Sequence, residues 1–234
     1  MEVFHVNGAI CTGGIIMIET ERLLLRPWQE SDAEELYVYA SDPAVGPPAG
    51  WPPHTSVENS REIIKGVLSK QKTYAVCLKN GKPVGSIGLH LNGSTDMTDR
   101  DDECELGYWI GKPFWGQGFI PEAARELLRY AFEQLGMRAV WCGYYDGNDK
   151  SRRVQEKLGF VYQHKTEGVE VTLMNEIRTG HCNLMTKERW QKVELFLNQK
   201  ETLDTFRQKN AITQAQYEKS LGDLRDKMQM QGVK

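Results

Sequence analysis

One strand–loop–helix segment constrains the fold of this chain more than any other part of its sequence. Residues 106–110 are apolar, and the loop after them contains three glycines, of which Gly116 and Gly118 lie just before residues 119–132. That last stretch carries apolar side chains at helical spacing, which predicts a helix. A helix N-terminus presents free N–H groups and the positive end of the helix dipole, and glycine lets a phosphate approach that backbone. The segment therefore predicts a pyrophosphate site, with a plain strand–helix joint as the alternative.

Three known phosphate-binding loops can be compared with this segment. The dinucleotide pattern G-x-G-x-x-G is not met, because Pro121 stands in place of its last glycine, and the chain has no P-loop run. Residues 113–118 read Pro-Phe-Trp-Gly-Gln-Gly. They resemble the loop with which GNAT acetyltransferases hold acetyl-CoA, in which a Gln or Arg is usual at the position of Pro113. That difference removes a side-chain contact and leaves the backbone donors in place.

Three further segments resemble the same family, in the order that its fold requires. Residues 148–160 resemble its second half, with Asn148 and Ser151 three positions apart and a closing Gly-Phe pair. Residues 18–32 resemble the opening strand and helix of the RimJ/RimL-like branch, whose members acetylate protein N-termini and related amines. Residues 184–190 resemble the closing strand of that branch. The resemblance covers about residues 17–190.

The resemblance implies a fold and an activity. The expected fold is of the α/β class: a mixed, mostly antiparallel sheet of about seven strands, with helices on both faces. The expected activity is N-acetyl transfer by direct attack of an acceptor amine on acetyl-CoA, the co-substrate. Within the enzyme class, the acceptor is a protein or peptide N-terminus or a small amine such as an antibiotic, a polyamine or an amino acid. A non-catalytic acyl-CoA-binding regulatory protein is the alternative from another class, favoured by Pro113 and Gln155.

Local patterns predict the elements of this fold. Asn80-Gly81 predicts a two-residue type I′ hairpin turn, and Ser31 with Glu34 has the spacing of a helix-capping box. Thr55 or Ser56 is expected to cap a second helix. The predicted strands are residues 18–26, 73–78, 84–91, 103–110, 138–145, 160–165 and 169–184.

The chain divides into three parts by composition and resemblance. Residues 1–16 are an N-terminal extension without the basic start of a signal peptide, and residues 17–190 are the acetyltransferase domain. Residues 191–234 are a polar helical appendage that resembles the small C-terminal hairpin called SHOCT. A lone helical hairpin buries too little surface to be stable, so we expect it to dock on the main domain or on a partner subunit in a homodimer. The alternative is a partly disordered tail.

Composition excludes several classes of function. The 234 residues carry a net charge of -3, so nothing favours binding to nucleic acid, which usually requires a basic face. The five cysteines are scattered without a C-x-x-C pair, so we expect no metal site and a reduced, cytoplasmic protein. No apolar run reaches the length of a membrane span.

The resemblance also implies which residues bind the co-substrate. In this fold the strand of residues 106–110 diverges from its parallel neighbour, so its backbone would lie along the pantetheine arm. Asn148 would contact that arm, although it can equally cap the following helix, and Ser151 would lie near the sulfur. The full set of expected cofactor-binding residues is Tyr108, Trp109, Ile110, Phe114, Trp115, Gly116, Gln117, Gly118, Phe119, Asn148 and Ser151.

The catalytic groups are less well determined. Many relatives carry a general-acid tyrosine seven positions after the asparagine, where this chain has Gln155. Ser151, Tyr144 or water must then serve the departing thiolate. Glu105 is the best candidate for the base, because its strand borders the acceptor cleft.

The acceptor end of the cleft has its own candidates. Trp51 and His54 lie in a proline-rich loop that should roof the acceptor site, so we expect them to bind the substrate. The acidic run within residues 96–103 is expected to attract a cationic amine or to be a solvated loop. His164 and His181 belong to no recognisable constellation in the sequence.

Overall fold

The computed structural model describes the backbone of residues 3–6, 9–12 and 15–234, and the side chains from residue 17 onward. In this described part, ten strands form one sheet in the order β1-β2-β3-β4-β5-β6-β7-β8-β10-β9. Every neighbouring pair is antiparallel except β7 and β8, which are parallel. The strands are β1 Val3–Val6, β2 Ala9–Thr12, β3 Ile15–Glu19, β4 Leu23–Arg26, β5 Thr73–Leu78, β6 Pro83–Leu91, β7 Glu103–Ile110, β8 Ala139–Tyr145, β9 Val161–Val171 and β10 Glu176–Thr186.

Six α-helices cover the two faces of this sheet. They are α1 Ala33–Ala40, α2 Val57–Ile63, α3 Phe119–Arg129, α4 Asp149–Leu158, α5 Lys187–Gln208 and α6 Gln214–Met228, and wider π-type turns extend α2 and α3. Successive side chains of a strand point to opposite faces of the sheet, so the buried residues form one core on each face. Ala75 and Cys77 pack with α1 and α2, whereas Tyr74 and Val76 belong to the larger core under α3, α5 and α6. The predicted mixed sheet with helices on both faces is confirmed.

The strand count was predicted too low. Residues 18–26 do not form one strand: the chain reverses after Glu19, where the N–H of Thr20 donates to the Leu23 carbonyl at 3.0 Å and starts β4 antiparallel to β3. The N-terminal extension adds β1 and β2 at the sheet edge. The two final strands are also more equal in length than predicted.

Two turn and cap predictions were wrong in detail. Asn80 has no positive φ, so the hairpin closes through a three-residue loop with Gly81 alone at φ +88°, not through a type I′ turn. Ser31 does not cap α1: the N-cap residue is Asp32, without a side-chain cap bond, and its carboxylate instead accepts from the N–H of Gln29 at 2.9 Å at the preceding 3-10 turn Glu30–Asp32. The other cap prediction is confirmed, because Ser56 Oγ accepts from Asn59 at the start of α2.

The C-terminal helices dock on the main domain, which is one of the two docking surfaces predicted from the sequence. The Trp190 ring stacks on Phe132 of the α3 segment at 5.2 Å, and Phe196 of α5 is fully buried. Tyr217 and Leu221 of α6 belong to the same core cluster. This hairpin therefore completes the hydrophobic core on the α3 face. The division of the chain at residues 190 and 191 stays a prediction.

Candidate active site

A gap in the sheet creates the site. Strands β7 and β8 pair only at their first residues, from Glu103 opposite Ala139 to Glu105 opposite Trp141, and then diverge. Cys142 lies just beyond the last paired residues, and its thiol donates to the Leu106 carbonyl at 3.2 Å. Beyond it, residues 106–110 keep their ladder with β6, and in the described part of the chain no strand pairs with their other edge, where the Ile110 carbonyl accepts from Trp115 Nε1 at 3.0 Å. A cleft of about 1540 Å³ follows this divergence.

The glycine loop forms one end of the cleft. Gly116 and Gly118 have φ values of +77° and +80°, which side-chain-bearing residues rarely adopt, and a Cβ on Gly116 would project into open space. Among the described residues, no acceptor receives the backbone N–H groups of Gly116, Gln117, Gly118 or Phe119. These free donors lie at the N-terminus of α3, so the loop has the geometry of an anion cradle.

Arg22 fixes this loop from the turn between β3 and β4. Its guanidinium pairs with Glu122 in the first turn of α3 at 2.6 Å and donates to the Gln117 carbonyl at 3.0 Å. Burial opposes ionisation of Glu122, but hydrogen bonds from Thr20 and Arg22 outweigh it and lower the pKa of that carboxyl. The ion pair thus holds the glycine loop against the sheet.

A row of cations beside the loop was missed by the sequence reasoning. Lys150, Arg153 and Lys157 lie along α4 and line the cleft, and the Lys150 ammonium sits 4.2 Å from the centre of the Trp115 ring. Their spacing of three and four positions is the signal that could have found them, since it places all three on one side of a helix. This row gives the cradle end of the cleft a positive wall suited to phosphates.

The part of the cleft around Glu105 is acidic. Glu105 points to the α1–α2 side of β7 and accepts a hydrogen bond from Thr95 at 2.7 Å. The loop between β6 and β7 brings Asp96 to the same chamber, and the terminal methyl of Met97 in this loop packs against Gly143, where a Cβ would force it to move. Burial, and then the charges of Asp96 and Glu105, raise the pKa of Cys182. The negative charges of Asp96 and Glu105 therefore both influence the same chamber, and the acidic loop between β6 and β7 forms part of the cleft wall.

The proline-rich loop roofs this chamber. Trp51 contacts Trp109 of β7 edge to face, with ring centroids 5.8 Å apart. His54 is buried, its Nδ1 lies 2.8 Å from Ser60 Oγ, and burial lowers its pKa. The roof is fastened across the cleft, because Asn148 Nδ2 donates to the Pro48 carbonyl at 3.1 Å.

Asn148 and Ser151 lie at the turn into α4. Asn148 Oδ1 accepts from the Ser151 N–H, so it caps the helix, the alternative role that its sequence allowed. Ser151 Oγ lies 3.0 Å from the hydroxyl of Tyr108 on the opposite wall and 3.1 Å from Gln155 Nε2. Burial raises the pKa of Tyr108 well above its ordinary value, so this phenol stays protonated.

Tyr144 lies away from that group. Its ring stacks on His181, with centroids 4.8 Å apart, and burial raises its pKa. His181 is hydrogen-bonded through Nε2 to Asp146 and lies 3.5 Å from the Tyr162 hydroxyl. The sequence reasoning found no constellation around His181, because its partners come from strands paired only in the folded sheet.

Nearly every candidate from the sequence lines the cleft. The exception is Gln117, whose side chain folds back to donate to the Pro113 carbonyl at 2.9 Å. The cleft-lining candidates are Trp51, His54, Glu105, Tyr108, Trp109, Ile110, Phe114, Trp115, Gly116, Gly118, Phe119, Tyr144, Asn148 and Ser151.

Comparison with known proteins decides the family. The family model described as "Acetyltransferase (GNAT) domain" matches residues 22–161, more than half of the chain. The chain belongs to the GNAT acetyltransferase family. It is by this membership an acyltransferase whose co-substrate is acetyl-CoA, and the free donors, glycines and cations of the cleft fit that molecule's pyrophosphate and phosphate groups.

Individual relatives agree with this assignment. The chain is 40% identical over 115 residues to the Bacillus subtilis protein named "Putative ribosomal N-acetyltransferase YdaF"; the match covers 49% of this chain and 59% of that protein. It is 27% identical over 147 residues to the N-acetyltransferase p20 of Bacillus licheniformis, covering 60% of this chain and 80% of that one.

Solved structures share the fold. A GNAT-family acetyltransferase from Bacillus anthracis superposes with a TM-score of 0.64 at 23% identity, over 74% of this chain and 99% of that one. The self-immunity acetyltransferase MccE, solved with acetyl-CoA and AMP, superposes with a TM-score of 0.59 at 17% identity, over 71% of this chain and 93% of that one. Among the described residues, no helix is long and apolar enough to cross a membrane.

Proposed function

We propose that the enzyme transfers the acetyl group of acetyl-CoA to the α-amino group of a protein or peptide N-terminus. The observation that carries this proposal is the acidic chamber at the open end of the cleft, where Glu105 and Asp96 lie beneath the proline-rich roof. An ammonium group is drawn to two carboxylates, and the carboxylate of Glu105 lies on the strand that would flank the thioester.

The residues have defined roles in this reaction. The free N–H groups of the glycine loop and the cations of α4 hold the phosphates, and the unpaired edge of β7 positions the pantetheine arm. Glu105 takes a proton from the acceptor ammonium, directly or through water, and passes it to solvent. The neutral amine forms the C–N bond, and the second proton that its nitrogen loses as the amide forms leaves by the same route. The C–S bond breaks with its electron pair on sulfur, where the Ser151 hydroxyl donates a hydrogen bond to the thiolate.

Two observations favour a peptide acceptor over a small amine. The relative YdaF carries the word "ribosomal" in its name, at 40% identity over 115 residues. The hairpin of β9 and β10 also exposes two apolar side chains, Leu173 and Ile177, of which Leu173 lines the cleft. An extended acceptor with apolar residues near its N-terminus would cover them.

A small-molecule amine is the second candidate acceptor. It is supported by a 33% identity over 96 residues to the FsC-acetyl coenzyme A-N(2)-transacetylase of Aspergillus fumigatus, covering 41% of each chain. The aromatic pair Trp51 and Trp109 offers a flat wall that a compact ligand can contact.

An acceptor panel separates these candidates. Thiol release from acetyl-CoA would be measured with N-terminal peptides of differing first residues, with the same peptides blocked at the N-terminus, and with polyamines, aminoglycosides and free amino acids. The proposal expects turnover with unblocked peptides only. Turnover with small amines alone would transfer the assignment to the second candidate, and binding without turnover across the panel would favour a regulatory protein.

We also propose that the two C-terminal helices are a SHOCT-like hairpin. Their support is the capped start of α6, where Thr213 and Gln216 bond reciprocally, and the resemblance of residues 203–221. Homodimer formation stays a prediction, which light scattering on the full chain would test.

A further inference from the structure

The position where many relatives carry a general-acid tyrosine is occupied here by Gln155, and its side chain is fully buried. Its amide nitrogen donates to the Gly143 carbonyl at 3.0 Å and to Ser151 Oγ at 3.1 Å, and its amide oxygen accepts from Asn183. Each polar atom of Gln155 is therefore engaged within the wall of the cleft. The amide N–H of Gln155 is too weakly acidic to protonate a leaving group, so any contribution of Gln155 to the reaction must act through Ser151.

A phenol approaches the same serine from the opposite wall. Tyr108 belongs to β7, and its hydroxyl crosses the divergence of the strands to lie 3.0 Å from Ser151 Oγ and 3.2 Å from the Ser151 carbonyl oxygen. A serine hydroxyl can accept two hydrogen bonds and donate one. Tyr108 has one proton, which either oxygen of Ser151 can accept. When that proton and the amide N–H of Gln155 both point at Oγ, the serine proton is directed away from both of them.

We propose that Tyr108 and Gln155 together orient the Ser151 hydroxyl, so that its proton points at the sulfur atom leaving acetyl-CoA. Tyr108 is thus a positioning residue that acts through Ser151. This inference rests on the proposed acetyl transfer. Where many relatives use a single tyrosine as the general acid, this chain uses a serine held between two hydrogen-bond donors.

The bonds balance without ionising the phenol. As the C–S bond breaks, its electron pair stays on sulfur, and Ser151 donates a hydrogen bond to the thiolate while keeping its proton. The two protons that the acceptor ammonium loses pass in turn to Glu105 and on to water, and the CoA thiolate takes a proton from water after release. Tyr108 stays neutral throughout, as its buried position requires, and strengthens the serine donor by donating to it.

A double-mutant cycle tests this coupling. With saturating acetyl-CoA, Ser151→Ala should lower kcat by about a hundredfold, the usual cost of one lost transition-state donor. Tyr108→Phe should lower kcat by about tenfold, the effect of one neutral hydrogen bond, and should cost nothing further in the Ser151→Ala background. Additive losses would show that Tyr108 does not act through Ser151 and would overturn the proposal.

A second readout needs no acceptor. The pKa of the thiol of bound CoA, followed by the ultraviolet absorbance of the thiolate, should rise in Tyr108→Phe and rise further in Ser151→Ala, because each change weakens the donor to the anion. Tyr130→Phe is the matched control: it removes another buried hydroxyl, bonded to Lys72 at 3.4 Å outside the cleft, and should leave the thiol pKa and kcat unchanged.

The outcomes separate this inference from the proposed function. Normal turnover with an unchanged thiol pKa in Tyr108→Phe would overturn the role of Tyr108 and leave the acetyltransferase assignment standing. A full chain that binds no CoA at all would overturn both.

Discussion

The most specific prediction concerns the anion cradle, because substitution of either of its two glycines should change a quantity that can be measured, the affinity for CoA. Gly116→Val places a branched side chain at φ +77° with no protein atom within 4 Å of its Cβ. The folded protein therefore suffers no clash, only the left-handed strain of about 1–2 kcal/mol. We expect the side chain to occupy the space in front of the free N–H groups, where a phosphate would lie.

The magnitude follows from the donors that are lost. Each N–H to phosphate bond is charge-assisted and worth about 1.5–3 kcal/mol. Loss of two such bonds weakens CoA binding by about 3–6 kcal/mol, or about 10²- to 10⁴-fold in Kd. Gly118→Val should behave similarly, although its Cβ would also lie 3.5 Å from Arg22 Nη2.

A matched control separates the effect of backbone strain from the effect of the lost N–H donors. Gly81→Val has the same kind of backbone, φ +88° with open space, in the β5–β6 turn away from the cleft. Calorimetric titration with CoA should show wild-type affinity for Gly81→Val and a large loss for Gly116→Val, while the melting temperature of both falls by about 2–8 °C. Wild-type affinity in Gly116→Val would refute the cradle, and equal losses in both variants would mean that strain alone explains the effect.

Three other changes test the remaining parts of the molecule. Glu105→Gln should lower kcat roughly a hundredfold with little change in CoA affinity and should remove the acidic limb of the pH–rate profile; an unaltered profile would move the base elsewhere. Because burial lowers the pKa of His54 below 6.5, the unfolded chain binds a proton there that the native chain does not, so the free energy of unfolding should fall as pH drops below about 6.5. Urea midpoints across that range should fall less steeply in His54→Gln, and identical slopes would contradict the assignment. Phe196→Ala should cost about 3–5 kcal/mol of stability because Phe196 is fully buried in the shared core; a wild-type urea midpoint would mean that the hairpin is a free appendage.

The glycine loop shows why part of the site could be predicted from the sequence. Its strand, turn and helix are contiguous, and its donors are backbone groups whose direction is set by local φ values. The helix boundaries at α4 were predictable for the same reason, since Asn148 caps one end and Gly159 closes the other. By contrast, residues 18–26 were mistaken for one strand, because a reversal without glycine or proline leaves no local signal.

Sequence by itself determined the family, the glycine loop before α3 and the helical tail, because each depends on residues close together in the chain. Only the tertiary structure decided which groups on the two walls of the cleft contact each other. Tyr108 and Ser151 are 43 residues apart, and Asn148 holds the roof through Pro48, 100 residues away. Such contacts depend on the divergence of β7 from β8, which no local pattern encodes. The same holds for the docked tail, whose apolar side chains showed a need for burial but not the surface that would bury them.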